Sequence, residues 1–273
     1  MLRTRVITAL ILVAVLGALL FGAPGPAWIV FAALIAALGG WEWTGLIHAR
    51  GPTRLVFCSL MAVLVLVMAP SGQVVETHWP SLTLFALGSA FWLLVVPIWL
   101  TRRWPVPRGW AGLAVGAILL VPPALALIVL RQQFGAGWLL AIMASVWMAD
   151  VAAYFAGKRF GRVKLAPSIS PGKSREGAYG AIAGVAIYAL VVALATGAMA
   201  PTPLNIVLLA GASVIHTVVS IWGDLFESLA KRQAGVKDSG KLLPGHGGLL
   251  DRIDSLTSTL PIVALAGLWL AGA

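Results

Sequence analysis

Apolar runs long enough to cross a bilayer follow one another along most of this chain, broken only by short stretches of Pro, Gly and charge. A helix needs about 20 such residues to span the hydrocarbon. Lipid offers a backbone no hydrogen-bond partner, so this pattern restricts the fold to packed helices. About nine spans are predicted, over 6–23, 27–47, 55–70, 82–100, 111–130, 137–157, 178–199, 203–222 and 255–272. Only 10% of residues are charged and 60% are hydrophobic, with a mean hydropathy of +0.97, which excludes a soluble globular domain. The expected class is all-α, a polytopic helical membrane protein. The first run follows Arg3 and Arg5 like a secretory signal, but its length and the second run after GAPGPA favour an uncleaved span. Cys58, the one cysteine, lies inside an apolar run and is read as a small packing residue. Neither an internal repeat nor a soluble domain is legible.

Loop charge orients the chain. When loops are assigned to alternate sides, every Lys and Arg except Arg131 falls on the same side. Basic loops stay cytoplasmic during insertion, so the amino terminus is expected inside, the carboxyl terminus outside, and the number of spans odd. Residues 1–136 are expected to form a scaffold of helices offering lipid access or dimer contacts, and residues 137–273 a catalytic region. The formal net charge of +10 suits anionic membrane lipids or nucleotides. The bases are scattered over short loops, without the basic helix or aromatic sheet of nucleic-acid readers, so nucleic acid is not an expected partner.

The acids are more concentrated. Asp150, Glu176, Asp224, Glu227, Asp238, Asp251 and Asp254 account for seven of nine carboxylates, all in the second half of the chain and all expected near the basic face. One charge at mid-bilayer costs roughly 2.5–3.5 kcal/mol even on the mildest scale, so such clusters mark ion, proton or substrate sites. Helical spacing puts Ser213, His216, Thr217, Ser220, Asp224 and Glu227 on one stripe, and Asp251, Asp254, Ser255 and Ser258 on another. Asp224 and Asp251 are candidate magnesium ligands because that ion prefers hard oxygen donors. The PGHGG turn at 244–248 precedes the last helix, whose amino-terminal amides are expected to be free for phosphate. Simpler readings stay open: neutral or salt-bridged helix-end residues for Asp224 and Asp251, a surface ion pair for Glu227 and Lys231, a turn residue for His246, a packing hydrogen bond for His216, an interfacial anchor for Tyr154, and solvent or a salt bridge for Asp254. In the loop before residue 178, PSISPGKS lacks the first glycine and the preceding strand of a P-loop. Ser170, Gly172, Lys173 and Ser174 nevertheless suit a phosphate.

These residues carry a resemblance. The run S-x-x-K-R-x4-K-D from Ser228 to Asp238, followed by L-P-G-H-G-G-x-x-D-R-I-D from Leu243 to Asp254, resembles the signature of phosphatidate cytidylyltransferases, the CDP-diacylglycerol synthases. D-x-x-A-Y-x-x-G-K-x-F-G from Asp150 to Gly161 and S-P-G-K at Ser170 resemble a second region of that family. The likeness covers about residues 145–260; the first half is similar in hydropathy alone. Ser174-Arg175 departs from the Thr-Trp common in relatives.

The resemblance implies transfer of a cytidylyl group from CTP to phosphatidic acid, with magnesium and a second cation of unspecified identity. It implies metal binding by Asp224 and Asp251, with Asp254 and Asp150 as outer or second-ion candidates. Lys231, Arg232, Lys237 and Arg252 would hold the phosphates, His246, Gly247 and Gly248 would shape a cradle, and Ser170 and Lys173 would close over the nucleotide. The implied location is a bacterial-type inner membrane, with the site on its cytoplasmic side; a homodimer is left open. A CTP-dependent polyprenol kinase and an ion-coupled transporter are the alternatives.

Overall fold

The computed structural model describes residues 2–70 and 79–272, with side chains over 6–70 and 81–272. The side chains of Arg3 and Arg5, on which part of the orientation rests, lie outside that set. The described residues are almost entirely helical: α1 (Leu2–Gly22), α2 (Gly25–Leu46), α3 (Pro52–Met68), α4 (Trp79–Ala90), a π-helical turn (Phe91–Val95), α5 (Val96–Arg102), α6 (Gly109–Phe134), α7 (Ala136–Phe160), α8 (Arg175–Ala195), α9 (Pro203–Gln233) and α10 (Leu250–Gly272). Seven helical segments among them are long and apolar enough to cross a membrane; the π-helical turn joins α4 to α5 in one of these, Ser81–Arg102. Val6–Gly22 and Pro52–Met68 are shorter apolar helices.

Helix α6 is the hub. Every residue from Leu119 to Leu130 is buried, on all faces, by neighbours that include α2, α4, α7 and α10. Pro122 and Pro123 sit inside it, and Gly88 on α4 lets the two helices approach: a Cβ there would stand 3.2 Å from Pro122. Two indoles fasten α2 to α6, with Trp43 Nε1 donating to Gly112 O at 2.8 Å and Trp28 Nε1 to Leu127 O at 3.0 Å. At the far end Arg131 donates to Leu20 O and Ala23 O, satisfying carbonyls that the end of α1 leaves open.

Helix α9, the longest, is held on two sides. One side packs Phe226 against Trp99, Trp92 and Phe91 at ring separations of 5.4, 5.7 and 5.9 Å. Each such pair adds about 0.5–1.5 kcal/mol beyond burial. On the other side Gly223 meets α10 closely, and a Cβ there would lie 2.6 Å from Asp254 O. Ser255 Oγ donates to Ser220 O and Ser258 Oγ to Val219 O, both at 3.0 Å. Small residues and interhelical hydroxyl bonds replace the hydrophobic effect that lipid cannot supply between helices. This crossing brings the acidic stripes of α9 and α10 together.

The loop after α7 is not irregular. Its residues form an antiparallel hairpin, β1 (Lys164–Ala166) and β2 (Ser170–Ser174).

Candidate active site

Asp224 projects from α9 where it pairs with Lys173 from β2, and its other oxygen accepts from Ser228 Oγ at 3.3 Å. The hairpin exists to deliver that lysine. Ser174, the next residue, ends β2 and caps α8 by accepting from Gly177 N at 3.1 Å. Gly157, Gly161 and Gly177 crowd around the same hydroxyl, so the glycines of the Gly-Lys-x-Phe-Gly run dock the hairpin on α7. Threonine caps helices as serine does, so the Ser174 departure preserves the role. Ser174→Ala should lower stability in detergent thermal unfolding by about 1 kcal/mol while Ser174→Thr changes it little; equal losses in both would refute the cap.

Two turns further along α9, Lys231 bridges the helices, lying 2.5 Å from Asp251 Oδ1 and 3.2 Å from Glu227 Oε2. The Glu227–Lys231 pair therefore exists, but it is buried rather than a surface pair; Glu227 is 6% exposed. The Glu227 carboxylate is held by Lys231 and meets the side chain of Asp254. Asp254 is partly buried on the wall of a cavity and lies within electrostatic reach of Asp224 and Asp150 as well. Five carboxylates thus form one seam, Asp150, Asp224, Asp254, Glu227 and Asp251, with Lys173, Lys231 and Arg252 as the cations interacting with them.

Asp251 also organises the turn before α10. Its Oδ2 accepts from Ser239 N, Ser239 Oγ and Gly248 N at 2.9, 3.1 and 2.8 Å. Opposite it stands Glu42 from α2, 4% exposed, accepting from Leu249 N and Leu250 N at 2.9 and 2.8 Å and sharing the single Ser239 hydroxyl proton with Asp251 at 2.9 Å. The amides of Gly248, Leu249 and Leu250 are therefore taken by carboxylates, which corrects the expectation that the start of α10 keeps them free for phosphate. A helix amino terminus satisfies whichever anion is covalently at hand. The turn's glycines have steric reasons: Gly247 has φ +83°, and a Cβ on it would meet Asp251 Oδ2 at 2.6 Å.

The other candidates surround this seam. His246 sits in the turn, its amide donating to Leu243 O and its Nδ1 buried with no hydrogen-bond partner among the described residues. Arg252 donates from Nε to His246 O at 3.2 Å and is otherwise exposed. Arg232 and Lys237 are exposed near the end of α9. Ser170 begins β2 and is half-buried. His216 is a packing residue, 2.9 Å from Ser145 Oγ. Tyr154 is 61% exposed beside Phe155 and Lys158.

Two cavities meet at the seam. One, about 410 Å³, is lined by Asp150, Tyr154, Lys158, Lys173, Asp224 and neighbouring small residues. The other, about 520 Å³, carries His246, Asp251, Arg252 and Asp254 at one end of an otherwise largely apolar wall. Asp150 belongs to both. Among the described residues no three His, Cys, Asp or Glu side chains converge tightly enough to enclose a metal by themselves.

Sequence reasoning missed Glu42 and Ser239. The signal for Glu42 was present: a carboxylate in the middle of an apolar run, Gly-Trp-Glu-Trp, is too costly to be incidental.

Comparison with known proteins gives a concordant result. The pattern of the Cytidylyltransferase family matches residues 3–269. A phosphatidate cytidylyltransferase of Pseudomonas aeruginosa is 40% identical over 281 aligned positions, covering 100% of this chain and 98% of that protein. One from Haemophilus influenzae is 34% identical, covering 96% of each. One from Brucella suis is 35% identical, covering 97% of this chain and 93% of that protein. The similarity therefore runs the full length, and the first half shares more than hydropathy.

Proposed function

Because this chain belongs to the cytidylyltransferase family, and its relatives are phosphatidate cytidylyltransferases along their whole length, we propose that the seam between α9, α10 and the hairpin is where it works. The activity is transfer of a cytidylyl group from CTP to phosphatidic acid, forming CDP-diacylglycerol and pyrophosphate. The observation that carries the site assignment is the pairing of Asp224 with Lys173 and of Asp251 with Lys231 beside two cavities that share Asp150.

Chemically, an oxygen of the lipid phosphate attacks the α-phosphorus of CTP, and the bond from that phosphorus to the bridging oxygen breaks, releasing pyrophosphate. A phosphomonoester is already an anionic nucleophile, so the enzyme's task is positioning and charge neutralisation rather than base catalysis. Lys173 and Lys231 are poised for this, each ammonium resting on a carboxylate until phosphate oxygens offer a better partner. Lys237, Arg232 and Arg252 add cationic donors at the rim, and Ser170 and His246 add polar groups around the phosphates.

Magnesium is the proposed cofactor, held by Asp224 and Asp251, with Asp254 and Asp150 as donors to a further cation. The fit rests on five carboxylates facing three cations along one seam. When bound, the ion would neutralise nucleotide phosphate oxygens and ease departure of pyrophosphate.

The distribution of Lys and Arg supports nine spans with the seam on the cytoplasmic side of an inner membrane, since assigning loops to alternate sides groups Lys173, Lys231 and the PGHGG turn with every other base except Arg131. The scaffold role of residues 1–136 is supported by Glu42 and by the indoles that lock α2 to α6.

The test is direct. Purified protein given CTP, phosphatidic acid and magnesium should release pyrophosphate and CDP-lipid in equal amounts. A polyprenol kinase would instead release CDP and leave a phosphorylated isoprenoid, and a transporter would move solute without consuming CTP. Either outcome refutes the proposal.

A further inference from the structure

We propose that Ser239 is a positioning residue for Asp251: its hydroxyl, shared with Glu42, fixes which oxygen of that carboxylate is offered to a cation in the site. The inference rests on the assignment of Asp251 to magnesium made above and deepens it. Aspartate does not set this orientation by itself. Its terminal torsion is broad, so the carboxylate plane turns unless its oxygens are held.

The two oxygens of Asp251 are held differently. Oδ2 accepts three hydrogen bonds, from the Ser239 amide at 2.9 Å, the Ser239 hydroxyl at 3.1 Å and Gly248 N at 2.8 Å. A carboxylate has about four acceptor sites over both oxygens, so Oδ2 has none to spare. Oδ1 faces the cation opposite, which is Lys231 at 2.5 Å. Asp251 thus offers the seam one oxygen, Oδ1.

Both amides belong to the turn and move with it. Among the described contacts of Oδ2, only the hydroxyl also reaches another helix: Ser239 Oγ lies 2.9 Å from Glu42 Oε2 on α2. Glu42 is itself fixed by Leu249 N and Leu250 N. One hydroxyl proton therefore stands between two carboxylate oxygens, one from α2 and one from α10. The backbone is cleared for this meeting. A Cβ on Gly248 would collide with Ser239 Oγ and Glu42 Oε2, and one on Gly240 with Glu42 Oε1.

Without the hydroxyl, the two oxygens would share one gap with no proton between them, and like charges so placed repel. Glu42 cannot yield, being 4% exposed and bound by two amides. Asp251 can, because it lines a cavity. Its turning would take Oδ1 away from the position it holds now. Ser239→Ala leaves the amide donors to Asp251 and Glu42 in place, so it tests the side chain of Asp251 and not the anchoring of the turn.

The experiment is a titration of the full protein in detergent with Mn2+, without CTP or lipid, following the electron paramagnetic resonance of the free ion. Ser239→Ala should raise the binding midpoint about tenfold, the lower end of the loss expected when a partner that orients a metal ligand is removed. Ser239→Thr keeps the hydroxyl and should bind within about twofold of the parent. Melting temperatures of the metal-free proteins are measured alongside. If Ser239→Ala leaves the midpoint where it was, whatever its melting temperature, the hydroxyl merely fastens the loop and the proposal falls. A threonine variant as impaired as the alanine one would also overturn it, since the hydroxyl would not be the group that matters. So would a parent without a saturable Mn2+ site. Binding is read without turnover, so an inactive parent that binds Mn2+ would refute the activity proposed above and leave this comparison standing.

Discussion

Asp224→Asn reduces formation of CDP-lipid by at least about 100-fold, the order lost when one charged group is removed from a phosphoryl-transfer site. Asparagine keeps the size of the side chain and one acceptor, so the fold should survive. What disappears is the negative charge facing Lys173 and the oxygen proposed for magnesium. Asp251→Asn makes the comparison informative, because Asp251 has two duties. It pairs with Lys231, and it accepts from Ser239 and Gly248. Losing one partner of a buried pair costs about 3–5 kcal/mol, so this variant should lose thermal stability as well as turnover. Magnesium titrations of initial rate, with thermal unfolding in detergent alongside, separate the two effects. Full activity in both variants would remove the aspartates from the site.

Glu42→Ala is the second large effect, and it comes from a residue that touches none of the reacting groups. Glu42 satisfies two backbone amides and the Ser239 hydroxyl from a position 4% exposed. Truncation would leave both amides unpaired, the Leu250 one buried, at about 1–3 kcal/mol each, while Ser239 keeps Asp251 as acceptor, so a total loss of about 2–5 kcal/mol is expected. Because Asp251 and His246 hang from the same turn, turnover should fall by about 100-fold, mostly through kcat if the turn is displaced relative to the phosphates. Glu42→Gln keeps one acceptor and should recover part of both losses. If Glu42→Ala unfolds at the parental temperature, the carboxylate is not the anchor its contacts describe.

The α-helical class was legible from hydropathy, because a chain in lipid has no alternative to satisfying its backbone within helices, but helix ends were not: α9 runs to Gln233, well past the apolar stretch that ends at 222. The signature from Ser228 to Asp254 was equally legible, and full-length similarity to known relatives supports the activity it implied. Other features resisted. The hairpin at 164–174 resembled a solvated loop, since its strands are too short for a period of alternation to register. Glu42 lies some 200 residues from the amides it binds, and no local pattern connects them.

Chemical type, then, was set by the sequence alone: which residues are charged in an apolar chain is decided by the cost of placing them there, and that cost singles out the seam. Their partners were decided by the tertiary structure. Gly223 and its serine neighbours let α9 and α10 close on one another. That contact converts two separate acidic stripes into one site, assigns Lys173 to Asp224 and Lys231 to Asp251, and spends the α10 amides on Glu42 and Asp251 instead of phosphate. Such pairings depend on distances of a few ångströms between segments remote in the chain, and only packing determines those.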